Sequence, residues 1–249
     1  MKKAIAWAVL AATVTNGAWA APARKAPAKA TAKAAARAPE PTPSVLYDFK
    51  GARLGMTFAE FQAMPAPTNP VDSWSSAKNQ PERIICSGDT YPNGKPVDTV
   101  YVSKTEAALG IKSCKYARAY KLSFGDYWNT ESSGINIGSW EVRDVTYDFL
   151  DGRLAKIEIN SNKNLFSDVV DGLTAKFGPP TKRVDDTTQN KAGATFPHTE
   201  LYWINPAATI YVETPFTKID NMYVSYKTAD YLARVNAKEQ ELNPSASKM

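Results

Sequence analysis

Two alternating apolar segments flank Asp151-Gly152, and this pattern restricts the fold more than any other in the chain. An Asp-Gly pair between such segments is typical of a tight β-hairpin turn, because both residues tolerate a positive φ. A three-residue loop that includes Arg153 gives three facing pairs: Phe149–Ala155, Tyr147–Ile157 and Val145–Ile159. Since side chains alternate along a strand, this register places both apolar sets on one face of the hairpin.

Four helices are predicted from caps and apolar periodicity. The first two begin at capping boxes, in which Thr57 precedes Glu60 and Ser103 precedes Glu106. A third has one apolar face and ends at Gly178-Pro179. That face consists of Leu165, Phe166, Val169, Val170, Leu173 and Phe177. Thr228 caps a fourth helix, which we expect to extend to about Glu241.

The remaining short alternating segments predict strands, here at 84–87, 99–102, 116–124, 199–204, 209–213 and 221–226. Residues 125–139 and the polar segment around Asp185-Asp186 are expected to be loops. Helix followed by antiparallel strands occurs twice along the chain, which indicates an α+β fold with antiparallel sheets and helices packed on one face. The same order predicts a degenerate tandem repeat, with a first α+β unit at 45–160 and a second at 161–249.

Residues 1–20 have the layout of a cleavable signal peptide. Lys2 and Lys3 precede an apolar run at 4–14, and Ala18-Trp19-Ala20 supplies small residues at the cleavage site. The run is shorter than the roughly 20 apolar residues that a membrane-spanning helix needs. No cysteine precedes Cys86, which argues against a lipoprotein, and no later segment is apolar enough to cross a membrane. We therefore expect export of the Gram-negative type and a periplasmic or secreted protein.

Residues 21–44 are rich in Ala, Pro and Lys and contain no aromatic or large aliphatic residue, which is typical of a disordered linker. The linker and leader carry the excess positive charge of the chain, since 45–249 contains 23 basic and 24 acidic residues. A nearly neutral body argues against a nucleic-acid-binding domain, which needs a clustered basic face. The basic linker is either a solvated spacer or a contact to anionic polymers such as peptidoglycan.

Cys86 and Cys114 are the only cysteines, and an even number in an exported chain predicts a disulfide. Closing a loop of this length stabilises the fold by about 3 kcal/mol in the chain-entropy model. The spacing is unlike the Cys-x-x-Cys of redox proteins. A zinc site needs several cysteine or histidine ligands, and His198 is the single histidine. We therefore expect no zinc site and no other metal or cofactor.

Residues 51–61, GARLGMTFAEF, resemble the start of SmpA/OmlA (BamE-like) and β-lactamase-inhibitor-protein-like envelope domains. Residues 151–157, DGRLAKI, are similar to the hairpin of such domains, and 173–180 to the end of a second-copy helix. The resemblance implies helices packed on one face of an antiparallel sheet, tandem copies, and a scaffold or protein inhibitor rather than an enzyme. The long segment at 65–142 and the missing lipoprotein cysteine depart from that pattern.

No catalytic signature is present in the sequence. A serine or cysteine hydrolase needs a base beside its nucleophile, and His198 is interpreted as an incidental histidine at a strand start. A glycosidase uses two carboxyls across a sugar cleft, but Asp148 with Asp151, and Asp185 with Asp186, have no spacing that requires this chemistry. The sequence therefore predicts no catalytic residue.

The segment at 125–140 is the best candidate for binding a partner, because it sets aromatic and aliphatic residues among Gly, Ser and Asn. The candidate residues are Tyr127, Trp128, Ile135, Ile137 and Trp140. The alternative is that Trp128 and Trp140 fold back onto the sheet. The leading hypothesis is a non-enzymatic protein-binding module: an inhibitor, an immunity-type protein or an envelope assembly accessory. The second hypothesis is a cell-wall glycan or peptidoglycan binder, with or without weak hydrolase activity.

Overall fold

The computed structural model describes residues 46–69, 77–97, 100–122, 127–142, 144–189 and 192–244. The predicted signal peptide and linker lie outside the described residues and stay predictions. The helices of the described ranges are α1 (Phe58–Ala63), α2 (Lys104–Ala108), α3 (Phe166–Phe177) and α4 (Ala229–Leu242), with a 3-10 turn at Lys163–Leu165 before α3. None of these helices is both long and apolar enough to cross a membrane.

The strands are short at the start of the chain and long in its second half. They are β1 (Asp48–Phe49), β2 (Ala52–Arg53), β3 (Arg83–Cys86), β4 (Lys112–Lys121), β5 (Trp128–Ser132), β6 (Ile135–Ile137), β7 (Trp140–Val142), β8 (Asp144–Leu150), β9 (Arg153–Asn162), β10 (Lys182–Gln189), β11 (Thr195–Ile204), β12 (Ala208–Thr214) and β13 (Asn221–Thr228). One antiparallel sheet has the order β10-β11-β12-β13-β9-β8-β4-β3, and β5 also pairs with β4. The pairs β1–β2 and β6–β7 form two separate hairpins.

The β8–β9 hairpin confirms two of its three predicted pairs. Tyr147 lies opposite Ile157 and Val145 opposite Ile159, but Phe149 faces Leu154 rather than Ala155. The turn has two residues, since Leu150 lies opposite Arg153, and both Asp151 and Gly152 adopt a positive φ. A bulge near Asp148 then restores the register, so that Leu154 and Ile157 both reach the core although they are three positions apart.

Helices pack against both faces of the sheet, so the expectation that they share one face is wrong. The first face carries the main core, in which Phe61 of α1 contacts Tyr147 and Leu173 of α3 is buried. The second face carries Lys156, which bonds to Glu106 of α2 and lies near the ring of Tyr231 in α4. Tyr147 and Asp148 point to opposite faces because they are consecutive strand residues.

Two segments predicted as loops are strands. Residues 128–132 pair with β4, and Asp185-Asp186 lies in the middle of β10, at the edge of the sheet. Nearly every residue of β10 is exposed, so its sequence shows no apolar alternation. The strand expected at 99–102 is also wrong for its described residues 100–102.

The two segments that carry the family resemblance contact each other. The backbone N–H of Gly55 donates to the carbonyl of Leu154 at 2.7 Å, and that of Leu154 donates to Met56 at 2.8 Å. The N–H of Phe58 at the start of α1 donates to the carbonyl of Gly152 at 2.9 Å. Segments about 100 residues apart in sequence therefore hold the first helix against the β8–β9 turn.

The broad α+β class and the disulfide are confirmed. Cys86 and Cys114 lie directly opposite each other on β3 and β4 and are bonded. The tandem repeat and its boundary near Asn160 stay predictions. Strands of both predicted units join in one sheet, since β13 pairs with β9 and β9 itself runs from Arg153 to Asn162.

Candidate functional site

The five predicted partner-binding residues lie in two different places. Tyr127 and Trp128 lie at β5, where Trp128 is half-buried and stacks on Tyr91 with ring centroids 6.4 Å apart. Tyr127 is 58% exposed, and the ammonium of Lys95 lies 5.4 Å from its ring centre. Trp128 thus partly folds back onto a small apolar cluster beside the sheet, whereas Tyr127 remains at the surface.

The β6–β7 hairpin holds the other three residues. Ile135 is 1% exposed and belongs to the main core, so it cannot contact a partner in this conformation. Ile137 is half-buried against the same core, and Trp140 lies directly opposite it in the hairpin with 47% of its surface exposed. Directly opposed strand residues place their side chains on the same side. Of the three candidate residues in this hairpin, Ile137 and Trp140 are therefore the accessible ones.

Ile137 also lines a cavity of about 390 Å³ between α3, the β1–β2 hairpin and the first face of the sheet. The other apolar residues of its wall are Phe49, Ile159, Val169, Leu173, Phe177, Val224 and Tyr226. Burial raises the pKa of Tyr226, and the nearby charge of Asp48 adds to this effect, so the phenol stays neutral at physiological pH. The cavity is thus a mainly apolar space on the core side of the sheet.

Charged residues of both signs surround the cavity. The ammonium of Lys176 on α3 lies 2.6 Å from the Asp48 carboxylate, which ties the helix to β1. Lys50 and Asp168 are also lining residues. Because this ion pair is largely at the surface, it contributes little to stability. It does place one positive and one negative group beside the apolar opening.

Gly172 lies in α3 between Asp168 and Lys176, four residues from each, and therefore on the same side of the helix. It lines the cavity, and a Cβ atom added there meets no other atom within 4 Å. Sequence reasoning missed this position, although a lone glycine inside an apolar helical pattern is a recognisable signal. Asp48 and Lys50 carry no comparable signal in the sequence.

A separate charged cluster surrounds Lys156 on the second face. Its ammonium contacts Asp148 at 2.7 Å, Glu106 at 2.8 Å and Glu158 at 3.0 Å. Burial alone would lower the pKa of Lys156, but the surrounding carboxylates raise it above its usual range. Burial would also raise the pKa of Glu106, but hydrogen bonds from Lys156 and Tyr231, with the Lys156 charge, lower it to about 2. This network joins α2 and α4 to the sheet, which is a structural role.

The carboxylate pairs considered for glycoside hydrolysis have structural partners as well. Asp148 is buried and bonded to Lys156, whereas Asp151 lies in the β8–β9 turn and bonds to Arg234 of α4. Asp185 forms two hydrogen bonds with Arg183, at 2.7 and 3.0 Å. These contacts explain why the residues are present without requiring a sugar cleft.

Chemically, the cavity under α3 is suited to binding an apolar group. Its wall combines aliphatic and aromatic side chains with a few charged groups, the composition typical of a ligand or anchor pocket. Comparisons with known proteins identify no matching family model, no similar curated protein and no similar solved structure.

Proposed function

We propose that this chain is a non-enzymatic protein-binding module of the periplasm or the cell exterior: an inhibitor, an immunity-type protein or an envelope assembly accessory. The observation that carries the proposal is Gly172 at the cavity under α3. A glycine inside a helix costs about 0.8–1 kcal/mol relative to alanine. Neither a positive φ nor a steric contact requires glycine here. Gly172 lines the opening of the cavity, and a side chain much longer than that of alanine would lie over this opening.

The partner that fits this cavity is a protein segment with one large aliphatic or aromatic side chain. A volume of about 390 Å³ falls within the usual range for binding pockets, roughly 300–1,000 Å³. Lys50 and Asp168 would meet polar groups around that anchor. Trp140, beside Ile137, supplies an exposed aromatic of the type that dominates protein interfaces.

The proposed location rests on the layout of residues 1–20 and on the disulfide, because disulfides persist mainly in oxidising compartments. The resemblance of 51–61 and 151–157 to BamE-like envelope domains supports the same class of function. Members of that class are scaffolds or inhibitors, and the proposal extends this role to the present chain.

Site-specific photo-cross-linking in intact cells tests the proposal. A photoreactive amino acid in place of Trp140 should capture a defined protein, to be identified by mass spectrometry. The same amino acid in place of Tyr101, which is 84% exposed, serves as the matched surface control. The capture at position 140 should be lost when Gly172→Leu is added. Identical products at both positions, or capture that persists with Gly172→Leu, would contradict the proposal.

Glycan binding is the second candidate, and the aromatic group at β5 favours it. Tyr127 is exposed and its neighbour Trp128 is half-buried on the buried Tyr91, and accessible aromatic rings can also stack on sugar rings. Sedimentation with purified peptidoglycan distinguishes two sources of binding. Loss of binding in Trp128→Ala supports the aromatic group, whereas loss only on deletion of 21–44 assigns binding to the linker. If the full chain does not sediment with peptidoglycan, this candidate is excluded.

A further inference from the structure

The second face of the sheet places two glutamates directly opposite each other. Glu200 on β11 pairs with Glu213 on β12. The neighbours Leu201 and Val212 are buried in the main core, so both glutamates point to the opposite face. Like charges directly opposite one another destabilise a strand pair. An arrangement of this kind calls for a compensating positive charge.

Two tyrosines and a histidine surround these carboxylates. The Tyr202 hydroxyl donates to Oε2 of Glu200 at 2.6 Å, and the Tyr211 hydroxyl donates to Oε2 of Glu213 at 2.8 Å. Nε2 of His198 lies 3.1 Å from Oε1 of Glu213. Within the described ranges, His198 is the only basic side chain at ion-pair distance from either glutamate. One oxygen of each carboxylate is therefore held by a phenol, and the second oxygen of Glu213 contacts the imidazole.

The three residues also satisfy the distances of a metal site. One ligand atom each from His198, Glu200 and Glu213 lies within 4.8 Å of the other two, and all three side chains are half-buried. Zinc bonds to nitrogen and oxygen of about 2.0–2.1 Å imply ligand-to-ligand distances of about 3.3 Å in a tetrahedron. The His198–Glu213 distance of 3.1 Å is already close to this value, and Glu200 has to approach by about 1.5 Å at most. Outer hydrogen bonds to ligating carboxylates, such as those from the tyrosines, are typical of metal sites.

We propose that His198, Glu200 and Glu213 bind one divalent transition-metal ion of the zinc class. Three protein ligands leave a fourth position for water, as in open zinc sites, and a cavity of about 370 Å³ lined by His198 and Glu213 provides room for it. The sequence argument against a zinc site considered only histidine and cysteine ligands. It missed this set because two of the three ligands are carboxylates, which strand pairing brings close to the imidazole. The site lies on the face opposite the cavity under α3, so it is independent of the proposed protein-binding site.

The chain is well suited to a clean test. Both cysteines are in the disulfide, so no thiolate competes for the metal, and His198 is the only histidine. The full chain, purified with a tag that lacks histidine, is titrated with Zn²⁺ by calorimetry. We expect one ion per chain. His198→Gln and Glu213→Gln should each weaken binding at least tenfold, and Tyr211→Phe should weaken it severalfold. Glu241→Gln, at an exposed carboxylate on α4, should bind as the unmodified chain does.

A second readout guards against variants that fold poorly. The imidazole NMR signals of the unmodified chain report on His198 alone, and they should shift in proportion to bound Zn²⁺. Circular dichroism without metal verifies that each variant keeps its secondary structure. The proposal is overturned if no saturable binding occurs, if folded His198→Gln binds Zn²⁺ undiminished, or if the imidazole signals stay unchanged at saturation.

Discussion

Two substitutions of Gly172, to alanine and to leucine, distinguish the effect of this residue on helix stability from its effect on access to the cavity under α3. Gly172→Ala should stabilise the protein by about 1 kcal/mol, since alanine favours the helix and restricts the unfolded chain. The added Cβ meets no atom within 4 Å, so no steric cost opposes this gain. Gly172→Leu gains about 0.7 kcal/mol from helix propensity and about 1 kcal/mol from apolar burial over the cavity. At about 2–4 °C per kcal/mol, the melting temperature should rise by about 3–7 °C for leucine.

The two variants should differ in binding. Alanine leaves the cavity open, so cross-linking from position 140 should continue, whereas leucine lies over the opening and should reduce it at least tenfold. Ala175→Leu is the matched control, because it adds the same side chain to an exposed position of α3 that does not line the cavity. If Gly172→Leu destabilises the fold, the space around position 172 is too small for a leucine side chain. If it stabilises the fold and capture persists, the cavity is not the binding site.

Three further predictions concern stability, each measured by urea unfolding. Lys156→Met should cost about 3–5 kcal/mol because it leaves buried carboxylates unpaired, whereas Lys238→Met, at a surface ion pair, should cost under about 1 kcal/mol; equal costs would contradict the structural role of the network. The lowered pKa of Glu106 contributes stability that is present above its unfolded value of 4.5 and is lost as pH falls through about 2. Glu106→Gln should therefore lose less stability than the unmodified chain between pH 4.5 and 2, and parallel pH profiles would refute this assignment. Reducing the Cys86–Cys114 bond should lower the free energy of unfolding by about 3–4 kcal/mol, and Cys86→Ser with Cys114→Ser should then show no further effect of reductant.

The sequence by itself determined the features that depend on neighbouring residues. Thr57 and Ser103 cap α1 and α2 as predicted, because each hydroxyl accepts from a backbone N–H three residues later. The Asp151-Gly152 turn follows from two residues that tolerate positive φ. The apolar periodicity before Gly178 likewise identified α3. These signals lie within a few residues of the structure they specify, so no distant contact is needed to interpret them.

Only the tertiary structure decided the features that depend on distant segments. β10 is a strand because it pairs with β11, although its own sequence lacks alternation when both faces meet solvent. Ile135 is core rather than a partner contact because the β6–β7 hairpin folds against the first face. The cavity beside Gly172 and the pairing of Glu200 with Glu213 likewise depend on which strands and helices meet. Long-range packing determines these arrangements. The residue pattern of a single segment does not specify which other segment it will pair with or pack against.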